Sequence, residues 1–286
     1  MSRPDPVKKV SVHGGHSGQF CNHARDSLED VIQAYIGAGF SWVGITEHMP
    51  PPADEWRYPD EAGSALTAAA LQQRFRDYFR HCRRLQQKYR EQIDIMTAFE
   101  TETYPGSEAF VRELITAVKP DYLVGSVHHV AGTGIDINPE LYARAVAAVG
   151  GIDALYCAYF DAQYDMLRAL KPAVVGHFDL IRIFDDDYLR RLQVPAIVER
   201  VERNLALIQA ERLIVDFNLR GFDKSAEQYP CLPVLKKALA MGIAVVPGDD
   251  SHGVSSVGRN YQRGVEILQA LGANLDWRKP ALLQAV

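Results

Sequence analysis

Seven of the nine histidines of this 286-residue chain lie where a predicted strand gives way to a loop. Six of them have a carboxylate, a glycine or a second histidine within one residue, and His23 follows Asn22. Neutral imidazole is the commonest protein ligand for zinc, manganese and iron. The seven are His13, His16, His23, His48, His128, His177 and His252. A single histidine in such a place is usually structural, whereas seven at matching positions indicate a site for several metal ions.

Carboxylates follow two of the predicted strands in the same way. Glu100 and Glu102 lie two residues apart in AFETET, and Asp250 and His252 lie two apart in GDDSH, so each pair shares a face. A carboxylate among imidazoles can bridge two cations that lie about 3.5–4 Å apart. A serine or cysteine nucleophile is not indicated, because the chain has no GxSxG motif and Cys21 has no clear base beside it. The residues therefore predict a metalloenzyme, with Cys21 packed beside the site.

The composition excludes several classes of partner. A net charge of −5 without a Lys/Arg-dense face argues against nucleic acid as the main partner. The N-terminus MSRPDPVKKVSV has no apolar h-region, and no stretch approaches the roughly 18 apolar residues that a membrane span needs. Four widely spaced cysteines without a CxxC pair are typical of reduced thiols. We expect a cytoplasmic protein with a small-molecule partner, no nucleic acid and no membrane; the oligomeric state is not predicted.

The elements that must position these side chains alternate between short apolar runs and longer amphipathic ones. The predicted strands cover residues 7–13, 41–48, 93–100, 121–128, 172–178, 213–218 and 243–250. The clearest helix covers 67–90, and others are predicted to start near Ser27, Ser107, Pro139, Ile152, Pro195 and Leu232. Strand–helix alternation predicts parallel pairing, which an open doubly wound sheet or a barrel would satisfy.

A barrel explains the candidate ligands better than an open sheet. The carboxyl ends of all strands in a barrel meet at one mouth, where such enzymes place their chemistry. We therefore predict one α/β barrel domain over residues 1–286, with the metal site at the C-terminal ends of the strands. The segment Pro50–Leu66 is a long connection, and we expect it to lie over the mouth.

Six motifs follow one another between residues 11 and 252: HSGQFCNHA, TEHMP, AFETETYPG, DYLVGSVHH, VVGHFDL and GDDSH. In this order they resemble the PHP superfamily, named for polymerase and histidinol phosphatase, and most closely its stand-alone histidinol-phosphate phosphatases. The resemblance implies a distorted (β/α)7 TIM-like barrel holding three divalent metal ions, in agreement with the seven predicted strands. It also implies a phosphomonoesterase of histidine biosynthesis that hydrolyses L-histidinol phosphate to L-histidinol and phosphate.

The resemblance further implies how the ligands are shared among the ions. His13, His16, Glu100 and Asp250 would hold one ion, Glu100 would bridge to a second ion held by His128 and His177, and His23, His48 and His252 would hold the third. A metal-bound hydroxide would attack phosphorus, with Glu100, Asp250 and His252 at the cluster. Bound metal lowers the pKa of water from about 15.7 to about 7. His and carboxylate ligands accept zinc, manganese or iron, so the identity of the ions stays open.

Four residues are candidates for substrate binding: Arg182, Arg220, Asn218 and Glu102. Either arginine could bind phosphate through two parallel hydrogen bonds, and either could equally be a solvated loop residue. Asn218 could orient substrate or a water molecule, and Glu102 could orient a histidine or meet a cationic amine. His81 and His129 are interpreted as structural.

Three other functions stay open at this point. The first is a PHP-type phosphoesterase that acts on another small phosphate ester. The second is an amidohydrolase-like barrel, which would usually carry a metal-bridging lysine after strand four, where this chain has histidine. The third is a catalytically inactive metal-binding accessory barrel, which a degraded ligand set would favour, whereas nine candidate ligands survive here.

The chain departs from the family pattern at its first motif. The family opens with HxH, whose spacing points both imidazoles to one face, whereas Gly14 and Gly15 separate His13 from His16. Glycine adopts positive φ at little cost, and a β-bulge absorbs one extra residue. We therefore predict a Gly-Gly bulge that returns both imidazoles to a metal, at nitrogen–metal distances of about 2.0–2.3 Å. In the alternative, His13 turns away and the first ion is lost or loosely held.

Overall fold

A computed structural model describes residues 7–225 and 227–283 of the chain. Residues 1–6 lie outside this range, and they belong to the N-terminal segment on which the prediction about secretion rests. The predicted 1–286 domain therefore extends beyond the described residues at both ends. The strands are β1 Lys9–Ser11, β2 Phe40–His48, β3 Asp94–Glu100, β4 Leu123–Gly125, β5 His129–Val130, β6 Thr133–Gly134, β7 Val174–Val175, β8 Ile214–Asn218 and β9 Ala244–Gly248. All except β5 and β6 pair in parallel in one sheet of order β1-β2-β3-β4-β7-β8-β9.

The first and last strands of this sheet are joined just beyond their carboxyl ends. The Val12 amide donates to the Pro247 carbonyl over 2.9 Å, and the Asp250 amide donates to the His13 carbonyl over 2.8 Å. These bonds bring β9 back to β1, so the sheet is a nearly closed barrel. The predicted α/β class and distorted seven-stranded TIM-like barrel are confirmed.

Helices follow the strands and cover the outside of the barrel. They are α1 Leu28–Gly37, α2 Pro59–Ala62, α3 Ala68–Tyr89, α4 Ser107–Val118, α5 Pro139–Val149, α6 Ile152–Leu170, α7 Tyr188–Arg191, α8 Pro195–Ala210, α9 Gly221–Lys224, α10 Leu232–Ala240 and α11 Tyr261–Ala270. Ser27 and Thr67 begin α1 and α3 as predicted, because their hydroxyls accept from backbone amides of the first turn. Within the described ranges no single helix is long and apolar enough to cross a membrane; α5 and α6 pass that test only as a pair bent by 91°.

Two predicted strands are much shorter in the structure than in the sequence pattern. The range 121–128 contracts to β4, and 172–178 contracts to β7, so His128 and His177 stand beyond their strands. His177 has a φ of 21° and Asp250 a φ of 44°, a region that costs a non-glycine residue about 1–3 kcal/mol. The backbone therefore turns sharply out of the parallel sheet at the positions of these residues. The hairpin of β5 and β6, with two residues in each strand, was not predicted.

A tyrosine fills the barrel interior beneath the mouth. The Tyr122 side chain is fully buried, and its hydroxyl donates to the Val12 carbonyl over 2.5 Å. The ring occupies space that only a glycine on β2 leaves open, because a Cβ on Gly44 would lie 1.6 Å from the Tyr122 hydroxyl oxygen. This contact supports the segment that carries His13.

We expect Gly44→Ala to destabilise the protein by about 1–3 kcal/mol, the usual cost of overpacking a filled core. Gly37→Ala is the matched control, because a Cβ there meets nothing within 4 Å and Gly37 lies inside α1. That change should be neutral or stabilise by about 0.5–1 kcal/mol. Urea unfolding of both variants beside the wild type measures the difference. Equal midpoints for the two variants would contradict the contact.

Candidate metal centre

The candidate ligands meet at the C-terminal end of the barrel, in a cleft of about 390 Å³. Seven of them line the cleft: His23, His48, Glu100, His128, His177, Asp250 and His252. His13 and His16 lie beneath the cleft and are fully buried. The structure thus brings together all nine residues that the sequence predicted as metal ligands.

Glu100 stands at the centre of the cluster. Its Oε1 atom lies 2.9 Å from His177 Nε2 and 3.4 Å from His128 Nε2, and those two nitrogens are 3.2 Å apart. Its Oε2 atom lies 3.4 Å from His13 Nε2 and 3.1 Å from His48 Nδ1. Each carboxylate oxygen therefore faces a different set of imidazoles, which is the arrangement that a bridging carboxylate requires.

Two further groups flank this carboxylate. His13, His16 and Asp250 form one group, in which ligand atoms all lie within 4.8 Å of one another. His16 Nε2 is 3.3 Å from Asp250 Oδ1 within it. The second group consists of imidazoles alone and contains His23, His48 and His252, again within 4.8 Å. Both groups match the sets that the family resemblance implies.

Both histidines of the HGGH segment enter the cluster, but not through the predicted bulge. Strand β1 ends at Ser11, before the first histidine, and neither glycine has a positive φ. The glycines are needed for space instead. A Cβ on Gly14 would lie 2.2 Å from the Gly44 carbonyl oxygen, and one on Gly15 would lie 2.5 Å from Val31 Cγ1. The bulge prediction was therefore wrong in its mechanism, and the predicted nitrogen–metal distances stay a prediction.

Buried carboxylates orient the imidazoles from behind. Asp216 Oδ2 accepts from His13 Nδ1 over 2.9 Å, and Glu102 Oε2 accepts from His128 Nδ1 over 2.9 Å. Such bonds fix which ring nitrogen faces the cluster. Sequence reasoning missed Asp216 and also Glu47, whose Oε2 lies 3.7 Å from His16 Nδ1. The signal in each case was an acidic residue inside an apolar strand.

The four residues predicted to bind substrate lie in different surroundings. Arg220 and Asn218 line the cleft. The Asn218 amide donates to Asp250 Oδ2 over 3.2 Å, so it holds a candidate ligand. Arg220 lies against Asp250 and contacts the His252 ring. Glu102 is buried behind His128 and serves that imidazole, one of its two predicted roles.

Arg182 requires a correction, because it does not line the cleft. Its guanidinium is buried, donates to the Glu227 carbonyl over 2.9 Å and lies 3.4 Å from Asp179 Oδ2. It also stacks 4.2 Å from the centre of the Tyr229 ring. These contacts hold the guanidinium inside the protein and away from the cleft. The prediction that Arg182 contacts phosphate is therefore wrong. A sequence cannot distinguish such an arginine from a solvated one.

The connection Pro50–Leu66 borders the cleft as predicted. Tyr58, Pro59 and Asp60 contribute to the cleft wall, and Asp60 Oδ2 lies 3.6 Å from His23 Nδ1. The Tyr58 hydroxyl donates to Glu102 Oε1 over 2.6 Å. The segment is thus fastened to the carboxylate that orients His128.

The cluster has two electrostatically different sides. Burial alone would lower the pKa of His13 and His128, but neighbouring carboxylates raise both pKa values well above the ordinary one. On the other side, burial and nearby imidazoles lower the pKa of His23 to about 2. Burial, His16 and Arg220 also lower the pKa of His252. One side therefore attracts positive charge strongly, and the other offers neutral ring nitrogens.

Unpartnered buried atoms test whether cations fit this cluster. His13 Nε2, His48 Nδ1 and both ring nitrogens of His16 are buried, and none of them makes a hydrogen bond of acceptable geometry within the described residues. An unsatisfied buried polar atom costs about 1–3 kcal/mol, which a bound cation would remove. The donor set of imidazole nitrogens and carboxylate oxygens is suited to zinc, manganese or iron. The residues therefore fit divalent metal ions.

Cys21 lies beside His16 and His48 within the same 4.8 Å limit. Its thiol is buried, and burial together with Glu47 raises the pKa of that thiol well above its ordinary value. Ligation requires a thiolate. That Cys21 packs beside the site without ligating stays a prediction.

A barrel with clustered imidazoles and a central carboxylate at its C-terminal mouth defines a metal-dependent hydrolase. The sequence model of the PHP domain matches residues 14–220, well over half of the chain. The chain belongs to the PHP family.

Relatives and a solved structure agree with this assignment along nearly the whole chain. The "Probable histidinol-phosphatase" of Schizosaccharomyces pombe is 38% identical over 268 residues, which cover 92% of this chain and 87% of the relative. The "Histidinol-phosphatase" of Saccharomyces cerevisiae is 28% identical, covering 90% of this chain and 88% of the relative. The histidinol phosphate phosphatase of Lactococcus lactis, solved with zinc, L-histidinol and phosphate, shares the fold with a TM-score of 0.72 at 16% identity, covering 94% and 95% of the two chains.

We expect protons and metal ions to compete for the carboxylate-rich side of the cluster. The carboxylates that raise the pKa of His13 and His128 favour the protonated imidazoles in the metal-free protein, and a cation competes with those protons. Metal affinity should therefore fall as the pH falls, and excess metal should restore activity on the acid side. Calorimetric titrations with zinc between about pH 6 and 8, in buffers of different protonation enthalpy, measure the number of protons released on binding. An acid limb that does not respond to metal concentration would indicate an ordinary general base.

Proposed function

We propose that this chain is a metal-dependent histidinol-phosphatase, which hydrolyses L-histidinol phosphate to L-histidinol and phosphate. The observation that carries this proposal is the Glu100-centred cluster of imidazoles at the barrel mouth. The relatives named as histidinol-phosphatases support the substrate, because they match this chain over about nine-tenths of its length. The Lactococcus lactis protein, which has the same fold, binds zinc, L-histidinol and phosphate.

We infer three divalent ions from the three groups of ligand atoms. His13, His16, Glu100 and Asp250 would hold the first, Glu100, His128 and His177 the second, and His23, His48 and His252 the third. The mutual distances of about 3–4 Å between the donors support this division. Zinc in the Lactococcus lactis structure favours zinc among the possible metals. A cytoplasmic location and the absence of nucleic-acid and membrane partners stay predictions.

The chain's own residues would orient both reactants. Arg220 reaches into the cleft beside Asp250 and is the arginine that can face a phosphoryl group. Asn218 holds the Asp250 carboxylate in place, and the Tyr58 segment narrows the cleft and limits water. Divalent metal supplies a nucleophile at neutral pH by lowering the pKa of water, and it neutralises charge on phosphoryl oxygens.

Phosphate release from a panel of monoesters, with and without a chelator, tests the function. We expect L-histidinol phosphate to have a kcat/KM at least about 10-fold above that of a generic aryl phosphate, and the chelator to abolish both activities. Equal rates would remove the substrate assignment and favour a PHP-type phosphoesterase acting on another small ester. A protein that binds zinc and releases no phosphate from any ester would be an inactive accessory barrel.

Glu100→Gln should lower activity more than any single substitution among the histidines. Each oxygen of Glu100 faces a different set of imidazoles, so the neutral amide weakens two ion sites at once. We expect the metal content, measured by atomic emission, to fall by more than one ion per chain. Glu55→Gln, an exposed carboxylate of the connection, should keep wild-type metal content. Full metal occupancy in Glu100→Gln with near wild-type activity would show that Glu100 is not the bridge.

A further inference from the structure

Two chemically different sets of side chains line the cleft. One set consists of the imidazoles and Arg220, and a phosphoryl group would bind there. The other set, the apolar wall, consists of Ile137, Leu180, Ile183 and Tyr229, which are apolar or aromatic. Binding of metal ions and phosphate does not require apolar side chains. We therefore expect the apolar wall to contact the organic part of the substrate.

One carboxylate of the cleft takes no part in the metal groups. Asp136 lines the cleft, and its Oδ1 atom is buried without a hydrogen-bond partner in the described part of the chain. Lys224 also lines the cleft and is exposed to solvent; burial and Arg220 lower its pKa, and Asp136 acts against that shift. A buried carboxylate oxygen without a donor is costly, and a ligand that brings a cationic N–H group would remove that cost.

Two hydrogen bonds tie the segments that flank Asp136 to the metal centre and to the apolar wall. The Ile135 amide donates to the His128 carbonyl over 2.9 Å, so the β5–β6 hairpin returns the chain directly beside a candidate ligand. The Tyr142 hydroxyl of α5 donates to the Ile181 carbonyl over 2.9 Å, inside the 3-10 turn that supplies the apolar wall. The carboxylate, the wall and the cluster are therefore held at set positions.

We propose that Asp136 determines substrate specificity by binding the ammonium group of the substrate, while the ring packs on the apolar wall. This inference rests on the proposed function and narrows the substrate class to phosphate monoesters of small amino alcohols that carry a ring. L-Histidinol phosphate has this composition, with a phosphate, a primary ammonium and an imidazole. The ammonium would donate to Asp136 Oδ1, and Ile137, Leu180 and Ile183 would contact the ring.

The test compares L-histidinol phosphate with its deamino analogue, 3-(imidazol-4-yl)propyl phosphate, which lacks only the ammonium. Asp136→Asn keeps the size of the side chain and removes its charge. Glu140→Gln is the matched control, because it removes one negative charge from the exposed first turn of α5. Zinc content and circular dichroism of each variant establish that the metal centre and the fold are intact.

In Asp136→Asn we expect kcat/KM for L-histidinol phosphate to fall about 10- to 100-fold, mainly through KM, as for loss of one charge-assisted hydrogen bond. The deamino analogue should change by less than about threefold, and Glu140→Gln should resemble the wild type on both substrates. Equal losses on both substrates, or no loss on either, would overturn the role of Asp136.

The wild type separates failure of this inference from failure of the proposed function. Wild-type protein that hydrolyses both esters equally, in a reaction that a chelator stops, keeps the phosphatase function and overturns recognition of the ammonium. Wild-type protein that hydrolyses neither ester overturns both.

Discussion

A single buried carboxylate organises this molecule. Glu100 is 1% exposed, and no lysine or arginine of the described chain forms a salt bridge with it; imidazoles surround it instead. Removing a charge from water costs several kcal/mol unless opposite charge accompanies it. Histidines at the ends of several strands surround the carboxylate. Asp216 and Glu102 accept from the Nδ1 atoms of His13 and His128, so the Nε2 atoms of these rings face Glu100.

The need for imidazoles around Glu100 also explains the local geometry of the barrel. Strands β4 and β7 contain only three and two residues, because the chain must leave the ladder early to turn its histidines inward. The strained backbone of His177 and Asp250 is confined to the same end of the barrel. Beneath the cluster the barrel interior must be filled, and the buried Tyr122 side chain fills it. Regular pairing is thus given up at the end of the barrel where the ligand geometry needs it.

The sequence predicts the periodic features of the fold and the residues that carry chemistry at strand ends. The parallel barrel and the start of α3 at Thr67 follow from hydrophobic period and capping, and the meeting of the nine candidate ligands at the mouth follows from their places at strand ends and from the family resemblance. Features that depend on distant contacts were missed or wrong. Arg182 is held by Asp179, three residues earlier, and by the Glu227 carbonyl, 45 residues later, and no local pattern encodes the second contact. Gly14 was interpreted through its φ, whereas the close approach of Gly44 decides its identity.

The bond between the Asp250 amide and the His13 carbonyl joins residues that follow the first and the last strand of the barrel. Every residue from His13 to Asp250 must therefore leave the ribosome before the first group of ligands can exist, and synthesis at about 5–20 residues per second makes this a delay of many seconds. A chain terminated before residue 250 would still contain His23, His48 and Glu100, yet it could not assemble the group that includes Asp250. This group can thus form only after the last strand of the barrel has been made.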